Sequence, residues 1–139
     1  MTFFENDAPS FISVKGDQFA FDGKEIPTLR VMIQKIQPVR KHFSNGELTC
    51  YSMDGRISTH GKYCLFCDDK FRCQKKLRLS MLDITQPEFQ PIILDINQAS
   101  FESLEAFIRE TGEDQLHSTP VTLKIIYDDH DRRSIEFMD

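Results

Sequence analysis

Apolar side chains recur at every second position in five separate stretches of this chain. Leu29, Val31 and Ile33 alternate with Arg30, Met32 and Gln34. The same rhythm returns in Leu77, Leu79 and Met81, in Ile92, Leu94 and Ile96, in Val121, Leu123, Ile125 and Tyr127, and in Ile135 and Phe137. A period of two marks a strand with one face buried and the other in water. The period changes once, in SFESLEAFIRETG, where Phe101, Leu104, Phe107 and Ile108 share a helical face. Ser100 stands where an N-cap belongs and Gly112 where a helix stops.

Shorter signals fill in the order. FISVKGDQFAFDGKEI reads as two short strands split at Gly16-Asp17 and closed by Asp22-Gly23. Asn45-Gly46 is a tight-turn pair, so ELTCYSM is expected to return beside the Leu29 strand, and Asp54-Gly55 turns again. Residues 1–10 read as a flexible N-terminus. Strands, then one helix, then two final strands is the order of a five-stranded β-barrel with a helix between its third and fourth strands. A ferredoxin-like fold would need a second helix. The expectation is therefore one mainly β, OB-fold-like domain over residues 1–139, with a zinc-ribbon-like module inserted at 50–76.

That insertion holds every cysteine of the chain: Cys50, Cys64, Cys67 and Cys73, spaced C-x13-C-x2-C-x5-C. Cys64-Leu-Phe-Cys67 is a knuckle of the kind that wraps a metal ion. Four thiolates satisfy a closed tetrahedral zinc site, and such a clip supplies folding energy to a stretch poor in apolar residues. An iron–sulfur cluster held by the same thiolates is the weaker alternative. His60 or His42 could replace one cysteine as ligand. A closed site leaves no position for a catalytic water. The chain also lacks a Gly-rich phosphate loop, a Gly-x-Ser-x-Gly elbow, a His-Glu-x-x-His helix and the His-x-Glu of zinc deaminases, so no enzyme is expected. The carboxylates of DDHD, at Asp128, Asp129 and Asp131, fall in a hairpin turn and read as solvated charge.

Charge is divided unevenly. The net charge is −5, yet Thr28 to Leu79 carries eleven Lys/Arg against four Asp/Glu, and the rest carries six against eighteen. One basic surface on an acidic body is the footprint of a polyanion-binding protein. The basic window is also rich in rings. Single-stranded nucleic acid is held by cations that follow the phosphates and by flat side chains that stack on bases. Arg30, Lys35, Arg40, Lys41, Arg72, Lys75, Lys76 and Arg78 are the expected phosphate contacts. Tyr51, Phe66 and Phe71 are the expected stacking residues. No apolar run reaches the roughly 20 residues that span a membrane, and MTFFENDAPS lacks the features of a signal peptide. A soluble cytoplasmic protein is expected.

LTCYSMDGRIS followed by GKYCLFCDDKFRCQKKLRL resembles a pattern in small zinc-containing proteins of tailed phages and prophages. In them a strand carrying Cys-x-Ser-x-Asp-Gly precedes a Cys-x-x-Cys knuckle, a last cysteine, basic residues and an apolar strand. The likeness spans roughly residues 25 to 138, and its specific part is Cys50 to Leu79. It implies an OB-type core, structural zinc and single-stranded DNA binding in replication or recombination, alongside proteins of those processes, inside a bacterial host. The alternative function is a protein–protein adaptor or inhibitor that docks a partner through its zinc module and acidic surface.

Overall fold

The computed structural model describes residues 9–44, 47–52, 73–85, 87–130 and 132–138. Its strands are β1 (Ser10–Phe11), β2 (Ser13–Lys15), β3 (Gln18–Phe21), β4 (Lys24–Ile26), β5 (Thr28–Ser44), β6 (Glu47–Ser52), β7 (Cys73–Asp83), β8 (Gln90–Ile96), β9 (Val121–Tyr127) and β10 (Arg133–Met138). Among the described residues one α-helix, α1 (Phe101–Thr111), lies between β8 and β9, flanked by short 3-10 turns. The fold is mainly β, with one short helix, as the alternation predicts.

β5 is the spine. Its 17 residues pair antiparallel with β7 along one edge, from Val31 opposite Asp83 to His42 opposite Cys73. The other edge has two partners end to end. β9 pairs with Thr28 to Val31, and β6 pairs with Arg40 to Ser44. β8 continues the sheet beyond β7, and β10 continues it beyond β9, giving the order β1-β8-β7-β5-β9-β10. The β5–β7 register shifts between Ile33 and Lys35, as at a β-bulge.

The core is largely the set that the period of two marks, with Leu77 only partly buried at its margin. Leu29, Val31 and Ile33 from β5, Leu79 and Met81 from β7, and Ile92, Leu94 and Ile96 from β8 are buried together. Val121, Leu123 and Ile125 of β9 and Ile135 and Phe137 of β10 complete it. α1 adds Leu104 and Phe107, with Phe101 and Ile108 packed at the margin. Tyr127 is a correction: it keeps the inward parity of β9 but is 48% exposed, because the strand runs past the end of the core.

The N-terminal strands β2, β3 and β4 form a separate three-stranded sheet that delivers Phe19 and Phe21 to the same core. The β3–β4 turn is Asp22-Gly23, with φ of 52° and 75°. Two successive left-handed residues make the turn whose twist suits a two-residue hairpin, which is why an Asp-Gly pair sits there.

The sheet does not close into the expected barrel. Closure would join the outer edges of β8 and β10, and both edges are already taken. Against β8 lies β1, parallel, with Ser10 opposite Ile92 and Phe11 opposite Ile93, and the Ile12 N–H donates to the Ile93 carbonyl at 2.8 Å. Along β10, the Ile135 N–H donates to Ser100 Oγ (2.8 Å) and the Phe137 N–H to Ser103 Oγ (2.9 Å). Two helix serines thus occupy the positions of a neighbouring strand. Ser100 is a second correction: its hydroxyl makes no cap to α1 and is spent on Ile135 and, as donor, on Asn97 Oδ1 at 2.7 Å. The unpaired seam survives as a cleft of about 120 Å³ between β8 and β10. Asn97 spans it, donating to the Arg133 carbonyl at 3.1 Å.

Gly112 ends α1 as predicted, with φ 89° and its N–H donating to the Ile108 carbonyl at 2.8 Å. Asp128, in the expected solvated turn, accepts the N–H groups of His130 (2.8 Å) and Arg132 (2.9 Å) and the Arg132 Nε (2.7 Å). No helix among the described residues is long and apolar enough to cross a membrane.

Candidate nucleic-acid interface

Residues directly opposite each other in an antiparallel ladder share a face of the sheet. The register therefore gathers the predicted cations in a way that spacing along the chain does not reveal. Arg40 of β5 stands opposite Lys75 of β7. In the flanking rows Val39 stands opposite Lys76 and Lys41 opposite Gln74. Arg40 and Lys75 thus share one face at this end of the two strands, and Lys41 and Lys76, in the rows on either side, belong to the other face. On the other edge of β5, Arg40 meets Ser52 and Lys41 meets Tyr51, without an acid. Like charges placed directly opposite destabilise a sheet. A bound polyanion would offset that cost.

The next row holds three potential metal ligands. His42 pairs with Cys50 of β6 on one side and Cys73 of β7 on the other. Cysteines 23 positions apart in the sequence are thereby brought to one end of the sheet, where segment 53–72 leaves and returns. Their backbones are two strand spacings apart, about 10 Å. With zinc–sulfur bonds of about 2.3 Å, thiolates reach a shared ion from that separation only at full stretch, and His42 lies between them. Cysteine and histidine are residue types that zinc accepts, and the register places three of them side by side along the backbone. Cys64, Cys67, Phe66, Phe71, Arg72 and His60 lie outside the described residues.

The remaining expected contacts have individual fates. Lys35 is exposed and stands opposite Ser80, on the outward side of β5. Lys75 is exposed and Lys76 half-buried. Arg30 is half-buried at the far end of β5, where its guanidinium donates to Thr122 Oγ1 at 2.8 Å. Arg78 is held by Asp95 through two bonds of 2.9 and 3.0 Å, with side-chain exposures of 12% and 8%. The Asp95 carboxylate already balances its charge, which leaves it a structural part of the face.

Sequence reasoning missed Phe11. It belongs to β1, a strand of two residues at the junction between the stretch read as flexible and the first short strand, and it is 60% exposed. The Arg78 guanidinium lies 5.1 Å from its ring centroid. Among neighbours in the register, Phe11, Ile93, Ser80 and Lys35 form one row across β1, β8, β7 and β5. The available signal was the apolar pair Phe11-Ile12, in which one residue is buried and the other has no reason to be exposed.

Compared with known proteins, the chain matches no family model, no curated protein and no solved structure.

Proposed function

We propose that this protein binds single-stranded DNA without strong sequence preference, in replication or recombination, through the basic end of β5 and β7 beside a structural zinc site. The observation that carries this is the register that brings Arg40, Lys41, Lys75 and Lys76 to one end of β5 and β7, with Arg40 directly opposite Lys75. Phosphates are the natural counter-charge for such a row, and an exposed sheet surface suits a flexible strand better than a rigid duplex. The order β8-β7-β5-β9-β10 with α1 after β8 supports an OB-type ancestry, with the β8–β10 seam left unpaired. The row of Cys50, His42 and Cys73 supports zinc, held by Cys50, Cys64, Cys67 and Cys73, as a clip that fixes this end of the sheet.

The test is titration of a labelled oligo-dT strand at two salt concentrations, with zinc measured on the same sample. Affinity should fall steeply with salt, and Lys75→Ala with Lys76→Ala should flatten the slope by about 1.4, or roughly 0.7 per lost phosphate contact on a single strand. Cys64→Ala should release the metal. Absence of binding at low salt by zinc-loaded protein would refute the DNA reading and favour an adaptor. Unchanged metal content in the Cys64 variant would refute the zinc set.

A further inference from the structure

Beside the small sheet lies a cleft that neither the charge window nor the cysteine pattern includes. Its volume is about 540 Å³, within the roughly 300–1,000 Å³ of ligand clefts. Phe11, Phe21, Lys15, Lys24 and Glu25 are among its lining residues. We infer that this cleft is a second contact for the bound single strand: Phe11 is a platform on which a base stacks, and Lys15 and Lys24 hold the flanking phosphates. The inference rests on the single-strand reading above and extends it to residues outside the basic window.

Phe11 is built as a platform. Its strand is pinned to β8, and the preceding Ser10 hydroxyl donates to both oxygens of Asp22, at 2.9 and 3.0 Å. Arg78 supports the ring and is itself immobilised by Asp95. A ring fixed from one side and still 60% exposed loses little freedom when a base stacks on it. Cations are at hand. Lys24 Nζ sits 4.6 Å from the Phe21 centroid, at the wall of the cleft, and Lys15 is exposed on β2. Glu25 is the opposing charge in the lining. The lining holds two lysines against one glutamate, the neighbouring Asp22 carboxylate being engaged by Ser10, and the Phe11 row leads across the outward face to Lys35. A nucleic acid strand uses the ring, the cations and their continuity together.

The chain contains no tryptophan, so Phe11→Trp creates a single reporter at the proposed platform. Unlabelled oligo-dT should quench its emission, with the midpoint found from the anisotropy of labelled oligo-dT on the same variant. Phe11→Ala and Phe11→Leu should each bind roughly 5- to 150-fold more weakly while keeping the wild-type melting temperature, since both lose the flat ring. Glu25→Gln should bind more tightly. Unquenched tryptophan at saturation, or a Phe11→Leu affinity equal to wild type, would overturn the inference while leaving the basic-row reading intact. Failure of the wild-type protein to bind oligo-dT at all would overturn both.

Discussion

Ser100→Ala removes one oxygen from a site with 0% exposure and should cost far more than a surface serine. The hydroxyl accepts the Ile135 N–H and donates to Asn97. Alanine leaves the Ile135 amide without a partner where water has no access, a loss of about 1–3 kcal/mol. The lost bond to Asn97 adds about 0.5–1 kcal/mol, and the better helix propensity of alanine returns a few tenths. The net expectation is about 2 kcal/mol, or a fall in Tm of about 8 °C for a chain of this size. Ser103→Ala is the internal control. Its contact to the Phe137 N–H is only part-buried, so water can replace the oxygen, and about 0.5–1 kcal/mol is expected. Thermal melts give the ranking, and hydrogen exchange localises it: the Ile135 amide should exchange about 30-fold faster in the Ser100 variant. Equal losses in the two variants, or a Ser100 variant within 0.5 kcal/mol of wild type, would refute the view that these serines stand in for a missing strand.

Three further outcomes follow from the geometry. Gly112→Ala should destabilise by about 1–3 kcal/mol, because φ 89° is strained for any side chain and the new Cβ would lie 3.2 Å from Asp114 Oδ1; a chemical denaturation curve decides it. Asp95→Ala should cost about 2–4 kcal/mol by removing the carboxylate that holds the Arg78 guanidinium in a half-closed site, and the double variant with Arg78→Met should recover part of that loss. The Asp128 carboxyl is held below its ordinary value, first by the Arg132 backbone N–H and, against an opposing desolvation, by the His130 N–H and the Arg132 side chain. A lowered folded-state value means the contribution is present above the carboxylate range and lost as pH falls through it. The melting-temperature gap between wild type and Asp128→Asn should therefore be present at neutral pH and shrink as pH falls through the carboxylate range.

What could be read in the sequence was what a single buried face imposes. Leu29, Val31 and Ile33 could alternate only as a strand, and Phe101 to Ile108 could share a stripe only as a helix. Hairpin turns were legible for the same reason: Asp22-Gly23 has one economical conformation. Barrel closure was not legible, because it depends on who reaches an edge first. Neither a two-residue strand parallel to a distant partner nor a serine that leaves its cap to serve a strand has a local signature. At the site, the residue types were legible and their grouping was not. Register alone sets Arg40 opposite Lys75, and only folding shows that Asp95 has claimed Arg78. Phe11 escaped because nothing local to a short strand announces its distant parallel partner Ile93 or the Arg78 guanidinium over its ring.

The length of β5 has a consequence for how the chain is made. Its Arg30 end is completed by Thr122, 92 positions later, while its other end needs only the nearer β6 and β7. At about 5–20 residues per second, a ribosome delivers the second partner about 5–18 s after the first. For that interval one edge of Leu29 to Val31 has no strand beside it, and such an edge is a template for another chain. Pairings this distant also place the domain among slow folders, in the range of milliseconds to seconds once synthesis ends. The strand that organises the sheet is thus the one longest exposed to misassembly, so slower induction and lower temperature should favour soluble product.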